Sequence, residues 1–185
     1  YQWSIGGSKG LQALFTRIAK NKTIMTTTEN IKFIKLPESF KADLGSFSID
    51  PSIELPILLG KGKDKVEDKD LTVENIVAGM ISVIAHDKDN PNFSYYKAFV
   101  LASDPNIVEK LNQAAIAKEQ RKEFGFAEEL FLAVYYLLPQ SASCINLATL
   151  YSYLAVEARS KDEDDKPWIK KVRSTLLDGI ERFGE

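Results

Sequence analysis

The sequence contains only one cysteine and one histidine, and these low counts limit the chemistry that its side chains can perform. Cys144 cannot form an internal disulfide or supply a cysteine-based metal site, because it has no second cysteine to pair with. His86 is predicted at the end of a helix beside Asp87, where the helix dipole favours a cation. No motif supplies a nucleophile for His86 to activate. We therefore expect no catalytic residues, and we interpret Cys144 as a small core residue.

Motifs for cofactors, metals and nucleic acids are also absent. The glycine-rich residues 6–10 lack the spacing of a phosphate loop, and the acidic clusters at 67–70 and 162–165 lack the pattern of a calcium loop. A formal net charge of −2 does not provide the basic excess that is usual in nucleic-acid-binding proteins. No apolar run approaches the roughly 20 residues of a membrane span. The sequence therefore predicts no cofactor, no metal site and no nucleic-acid partner.

Positive charge is concentrated near the start of the chain. Residues 1–35 contain six Lys or Arg and one Asp or Glu, which gives +5, whereas the remaining residues give −7. Tyr1 and Trp3 precede the basic residues, an order found at the water edge of membrane helices. Because the chain begins with Tyr1 rather than Met, we expect a soluble fragment of a longer protein, in which a membrane anchor would lie upstream. The alternative is an ordinary basic surface helix, so the compartment stays open.

Hydrophobic spacing divides the chain into two regions. Residues 8–20 have the spacing of a short amphipathic helix. Residues 23–60 are rich in β-branched residues and predict either a small β element or an extended lead-in. After the charged, glycine-containing stretch at 60–70, apolar residues recur at helical spacing and predict six consecutive helices. We therefore predict two domains, an N-terminal one at 1–70 and a helical one at 71–185.

Capping residues and prolines mark the predicted helix starts. Thr72 or Asp70 can cap the first helix after the linker. Asn90-Pro91 and Asp104-Pro105 each place an acceptor side chain before a proline, which suits the first helical position. The last helix begins near Pro167 and has these apolar residues at helical spacing: Trp168, Ile169, Val172, Leu176, Ile180 and Phe183.

Two stretches of the helical region share the spacing of a known repeat. C-x2-L-A-x2-Y, starting at Cys144, matches the W-x2-L-G-x2-Y spacing of the first helix of a tetratricopeptide repeat. A-x3-F, starting at Ala127 and followed by Pro139, matches the A-x3-F…P spacing of its second helix. A shift of 33 residues back from Cys144 reaches Leu111, which is followed by two alanines at the Leu-Gly positions. Residues of about 105–158 therefore resemble the tetratricopeptide repeat (TPR) family.

This resemblance implies a mostly α fold, a TPR-like α-α superhelix of antiparallel helical hairpins with an N-terminal helix and a small β or extended segment. Ala115, Ala127 and Ala148 would lie where helix backbones approach most closely, because a large side chain there would force them apart. The sequence departs from the family pattern at Lys118, which replaces a tyrosine, and at Cys144, which replaces a tryptophan. The alternative is an unrelated helical bundle, since apolar stripes are common in any helical core.

The resemblance also implies a binding surface. In the TPR family, the first helices of successive repeats line a groove that takes peptides or helices from partner proteins. The corresponding positions on two helices of this chain are Asn112, Glu119, Gln120, Thr149, Ser152 and Tyr153. We therefore expect a non-catalytic protein–protein interaction module that binds a protein or peptide. Two repeats make a short groove, which favours either further repeats in the intact protein or self-association.

Two other functions stay open. The chain could be an accessory subunit that packs permanently in a larger, membrane-associated complex, or an enzyme that uses the helices as a scaffold. A broad apolar surface on the last helix, around Trp168 and Phe183, would favour the accessory subunit. A deep pocket that holds His86 with a strongly shifted carboxylate or thiol would favour the enzyme.

Overall fold

The computed structural model of the chain describes residues 30–37, 40, 44–60 and 63–184, in which a small two-stranded sheet precedes six helices. The sheet is formed by β1 (Ile31–Ile34) and β2 (Leu55–Leu58), and a short 3-10 helix spans Asp68–Asp70. The helices are α1 (Val73–His86), α2 (Phe93–Ser103), α3 (Ile107–Gln120), α4 (Phe124–Leu137), α5 (Ser141–Ser160) and α6 (Lys166–Phe183). The predicted mostly α class and the six helices after residue 70 are confirmed. The helix predicted at 8–20 lies outside the described residues.

The chain divides into two compact units, one that runs through Ala133 and one that starts at Val134. The first unit contains the sheet, α1, α2, α3 and most of α4. The second contains the end of α4 together with α5 and α6. The domain boundary predicted near residue 70 stays a prediction.

The two strands form an antiparallel pair in which Ile31 lies opposite Leu58 and Phe33 lies opposite Pro56. The backbone N–H of Leu59 donates to the carbonyl of Asn30 at 2.9 Å. Because hydrogen-bonded and non-hydrogen-bonded pairs alternate along such a ladder, Pro56 falls at a non-hydrogen-bonded position. Its missing donor therefore costs no bond to β1, which explains how a proline fits within this strand. Of the two predicted possibilities, residues 31–58 contain the β element.

Helix α1 is buried on nearly every side and packs against β2. Thr72 is its N-cap, and the Thr72 hydroxyl accepts from the N–H of Asn75 at 3.2 Å. Gly79 lies in the middle of α1, directly against the backbone of β2. A Cβ added at Gly79 would lie only 2.4 Å from the carbonyl oxygen of Pro56. The absence of a side chain at this position is therefore what lets β2 contact α1 so closely.

Helix α2 is joined to the segment before β2 by aromatic side chains. The Tyr96 hydroxyl donates to the carbonyl of Glu54 at 2.7 Å, and the Tyr95 hydroxyl accepts from the N–H of Asp50 at 2.9 Å. The Phe47 ring packs edge-on against Phe99, with 5.6 Å between the ring centroids. These contacts hold the loop between the strands against α2.

The starts of α2 and α3 differ from the prediction by two residues. The sequence predicts helix starts at Pro91 and Pro105, whereas the helices begin at Phe93 and Ile107. The predicted capping residues instead close a turn ahead of each helix. Asn90 Oδ1 accepts from the N–H of Asn92 at 3.0 Å, and Asp104 Oδ1 accepts from the N–H of Asn106 at 2.8 Å.

The turn between α3 and α4 encloses a buried lysine. Lys118 is only 1% exposed, and its Nζ lies 2.5 Å from Glu123 Oε2 and 4.6 Å from the centroid of the Phe126 ring. The backbone N–H of Glu123 also donates to the Lys118 carbonyl at 2.9 Å, and Lys122 between them has a positive φ of 60°. The lysine therefore joins the end of α3 to the start of α4.

The three alanines that carry the repeat resemblance are all buried. Ala115 and Ala127 are 0% exposed, and Ala148 is 5% exposed. Each is thus surrounded by packed atoms, as close helix packing requires. Their burial is confirmed, while the superhelical arrangement stays a prediction.

Candidate functional site

Helices α5 and α6 form an antiparallel hairpin whose contact surface is built around small residues. At one end, Cys144 Sγ donates to the carbonyl of Thr175 at 3.1 Å. At the other end, the rings of Tyr151 and Trp168 stack with 6.3 Å between centroids. One turn beyond Thr175 on α6, a Cβ added at Gly179 would lie 2.4 Å from Cys144 Sγ. The missing side chain at Gly179 therefore leaves the space that Cys144 fills.

Cys144 is buried, as the sequence predicts. Burial raises the pKa of its thiol, and the backbone contact at Gly179 opposes that shift only in part. Because the thiolate is the nucleophilic form, a raised pKa makes this cysteine a poor nucleophile near neutral pH. Its position between the two helices gives it a packing role.

We expect Gly179→Ala to destabilise the protein by about 1–2 kcal/mol, because the added methyl would overlap Cys144 Sγ. In a Cys144→Ala background the same change should be neutral or stabilising by up to ~1 kcal/mol, since alanine favours a helix interior over glycine. Urea unfolding of the four proteins in this double-mutant cycle measures the coupling. Equal effects of Gly179→Ala in both backgrounds would show that the contact with Cys144 does not limit this position.

The first three predicted binding residues lie on α3, in the first unit. Asn112 and Glu119 are half-buried and, being seven residues apart, lie on the same side of the helix. Gln120 is exposed and is the last residue of α3. Glu119 and Gln120 thus lie in the last turn of α3, close to Lys118, whereas Asn112 lies near the middle of the helix.

The other three predicted binding residues lie on α5, in the second unit, and all are exposed. Thr149 and Ser152 are polar, and the Ser152 hydroxyl donates to the carbonyl of Ala148 at 2.8 Å. Tyr153 is 42% exposed. These three residues lie within about one turn of the helix, so the structure brings them together on one surface.

Two neighbouring residues that the sequence interpretation does not single out are more exposed still. Ile145 is 58% exposed and Val156 is 65% exposed. Together with Thr149 and Ser152, they recur at the i, i+4, i+7, i+11 spacing of one helix face. The same spacing identifies core residues, so periodicity alone could not mark them as a surface. The outer side of α5 is therefore an apolar stripe interrupted by hydroxyl groups.

Helix α6 also exposes apolar side chains, although not the two expected. Trp168 and Phe183 are half-buried, and Lys171 Nζ lies 4.8 Å from the centroid of the Trp168 ring. The large apolar residues that are exposed on this helix are Ile169, Leu176, Leu177 and Ile180. Helix α5 thus covers only part of the apolar arc of α6.

The candidate for chemistry in the first unit is His86, the last residue of α1. Its Nε2 lies 4.0 Å from Oε2 of the buried Glu129 on α4. Among the described residues, no three His, Cys, Asp or Glu side chains form a group that could hold a metal ion. None of the described helices is long and apolar enough to cross a membrane.

Comparison with known proteins gives no match to this chain among protein-family models, curated proteins or solved structures.

Proposed function

We propose that this chain is a non-catalytic protein–protein interaction module, built as a TPR-like stack of helical hairpins, that binds a protein or peptide partner. The observation that carries the proposal is the outer surface of α5. There, Thr149, Ser152 and Tyr153 lie exposed beside the apolar side chains of Ile145 and Val156.

The side chains on this surface are of the kinds that bind a partner, which favours a binding surface over an ordinary solvated helix face. Aromatic and aliphatic side chains provide contact area, and the hydroxyls of Thr149 and Ser152 provide hydrogen bonds that orient a partner. The surface lies on a 20-residue helix whose opposite side is buried, so its side chains are held on a rigid element. The buried alanines Ala115, Ala127 and Ala148 support the repeat-like packing that would present such a helix.

The exposed residues of α6 favour a second function, an accessory subunit that packs permanently in a larger complex. Ile169, Leu176, Leu177 and Ile180 all lie in solvent on one helix, and extended apolar surface is typical of permanent interfaces. The two functions differ in the stability of the complex. A permanent subunit would purify in a fixed ratio with its partners even in high salt, whereas a transient module would lose them.

Photo-cross-linking in the native cells tests the proposal. We expect a benzophenone amino acid at Thr149 to give specific protein adducts, and the same group at the exposed Ser174 of α6 to give far fewer. Tyr153→Ala should lower the yield of Thr149 adducts about tenfold, the effect of losing an interface aromatic. A Thr149 adduct pattern identical to that of Ser174 would contradict the proposed binding surface.

A further inference from the structure

The exposed apolar residues of α5 and α6 lie on one side of the hairpin. On α5, the contacts of Cys144 and Tyr151 mark the side that faces α6, and on α6 those of Trp168 and Gly179 mark the side that faces α5. Each residue of an α-helix is rotated by about 100° from the one before it. The exposed residues Ile145, Ser152, Ile169 and Ile180 each directly follow one of these contact residues, so on both helices they point about a quarter turn away from the neighbouring helix. Because the helices are antiparallel, the same sense of rotation brings both stripes to the same side. This hairpin face consists of Ile145, Ser152, Val156, Ile169, Leu176 and Ile180.

The hairpin face has the size of an interaction surface. Its five aliphatic side chains are between 42% and 65% exposed. The exposed apolar area of such a group approaches that of the largest apolar patches on monomeric proteins, which is roughly 300–600 Å². Patches of that size are often functional. A stable interface buries about 800 Å² per partner, so this patch and its polar edges would supply one side of it.

The shape of the face identifies the kind of layer that would cover it. Helices α5 and α6 contain 20 and 18 residues, which gives lengths of about 30 Å and 27 Å. Two antiparallel helices with one exposed apolar side are covered efficiently by a second pair of the same length, as in a four-helix bundle. A second copy of this hairpin supplies a pair with that length, and two-fold symmetry lets the same patch serve on both chains.

The charges at the edges of the face are complementary between copies. Beyond the face on α6 lie the exposed basic residues Lys166, Lys170 and Arg173, together with one exposed acidic residue, Glu181. On α5 the opposite edge carries Tyr153 and Glu157, which is paired with Lys161, and the exposed acidic residues 162–164 that follow leave this edge acidic. When the two-fold axis runs parallel to the helices, α5 of one copy lies against α6 of the other. This arrangement places the acidic edge of each chain beside the basic edge of its partner.

We propose that the hairpin face is a homodimer interface, through which two copies of this chain pair their α5–α6 hairpins into a four-helix bundle. This inference deepens the proposed function and rests on it, since it names a second copy as the partner of the α5 surface.

Light scattering coupled to size-exclusion chromatography of the purified 185-residue chain tests the pairing. We expect the mass of a dimer at micromolar concentration, and the mass of a monomer for the double variant Leu176→Lys/Ile180→Lys. The matched control is Leu101→Lys/Ile116→Lys, which changes two exposed apolar residues outside the face and should stay dimeric. Circular dichroism of each variant reports whether the helices are retained. A monomer at every concentration, or a dimer that Leu176→Lys/Ile180→Lys leaves intact, overturns the proposal.

A photo-cross-linking experiment distinguishes failure of the homodimer proposal from failure of the proposed function. A benzophenone amino acid at Ile145 should give an adduct of twice the chain mass in the purified protein and in cells. Adducts formed in cells with a different protein only, together with a monomeric purified chain, overturn the homodimer and leave the interaction module standing. A monomer that forms no adduct in cells from either Ile145 or Thr149 overturns both.

Discussion

Replacing Glu123 with alanine is expected to destabilise the protein by about 2–4 kcal/mol, a large effect for a single residue in a turn. The reason is the charge on Lys118. Its side chain is 1% exposed, and the Glu123 carboxylate lies 2.5 Å from its Nζ. Removing that carboxylate takes a counter-ion away from an ammonium group in a site closed to water, where a charge that loses part of its compensation is costly. Chemical denaturation of the variant and the wild type measures the difference.

Lys118→Met separates the cost of the charge from the loss of packing. Methionine keeps most of the aliphatic length beside Phe126 and carries no charge, so we expect a loss of only about 0–1.5 kcal/mol. In the Lys118→Met background, Glu123→Ala should cost far less than it does alone, because there is no buried ammonium group left for the carboxylate to compensate. Lys161→Met is the control for lysine removal at an exposed ion pair with Glu157, and it should change stability by less than about 1 kcal/mol. Additive effects of Lys118→Met and Glu123→Ala would contradict the explanation.

This lysine also shows what sequence periodicity misses. Residues 118–123 form a polar stretch in the sequence, yet the side chain of Lys118, which stands where the repeat pattern has a tyrosine, is buried. A lysine side chain has a long aliphatic stem, which can be buried when tertiary structure supplies a counter-ion for its end. The position of Glu123 relative to Lys118 depends on the turn and its positive φ at Lys122, which hydrophobic spacing does not encode.

Helix ends were predicted well where a local chemical rule decides them. Pro139 cannot continue a helix, and α4 ends at Leu137, two residues before this proline. Thr72 caps α1 through its own hydroxyl. The starts at Asn90-Pro91 and Asp104-Pro105 were predicted too early, because the acceptor side chains there close a turn that precedes the helix.

The candidate binding residues come from the repeat resemblance, which places Thr149, Ser152 and Tyr153 on the partner-facing side of a helix. In the structure these three residues are exposed on α5, and their role in binding stays a prediction. Spacing does not show how much of a face the neighbouring helix covers. Ile145 and Ile180 directly follow Cys144 and Gly179, which contact each other, so each points about a quarter turn away from that contact and is exposed.

Replacing Gly79 with alanine is expected to destabilise the protein by about 2–3 kcal/mol, even though alanine is the better helix former. The new Cβ would lie 2.4 Å from the carbonyl oxygen of Pro56, 2.7 Å from its carbonyl carbon and 3.0 Å from the N of Ile57. All three are backbone atoms of β2, so no side-chain rotation can relieve the overlap. The strand and α1 would have to separate, which exposes the residues buried between them.

Gly125→Ala is the matched control, because it makes the same substitution in α4 at a position where the added Cβ meets no atom within 4 Å. We expect it to be neutral or to stabilise the protein by up to ~1 kcal/mol through helix propensity. Hydrogen exchange should localise the effect of Gly79→Ala, with protection falling first in peptides that contain 55–58 and 73–86. A Gly79→Ala protein as stable as the Gly125→Ala protein would mean that β2 can move away from α1 at little cost, and that glycine is not what fixes their separation.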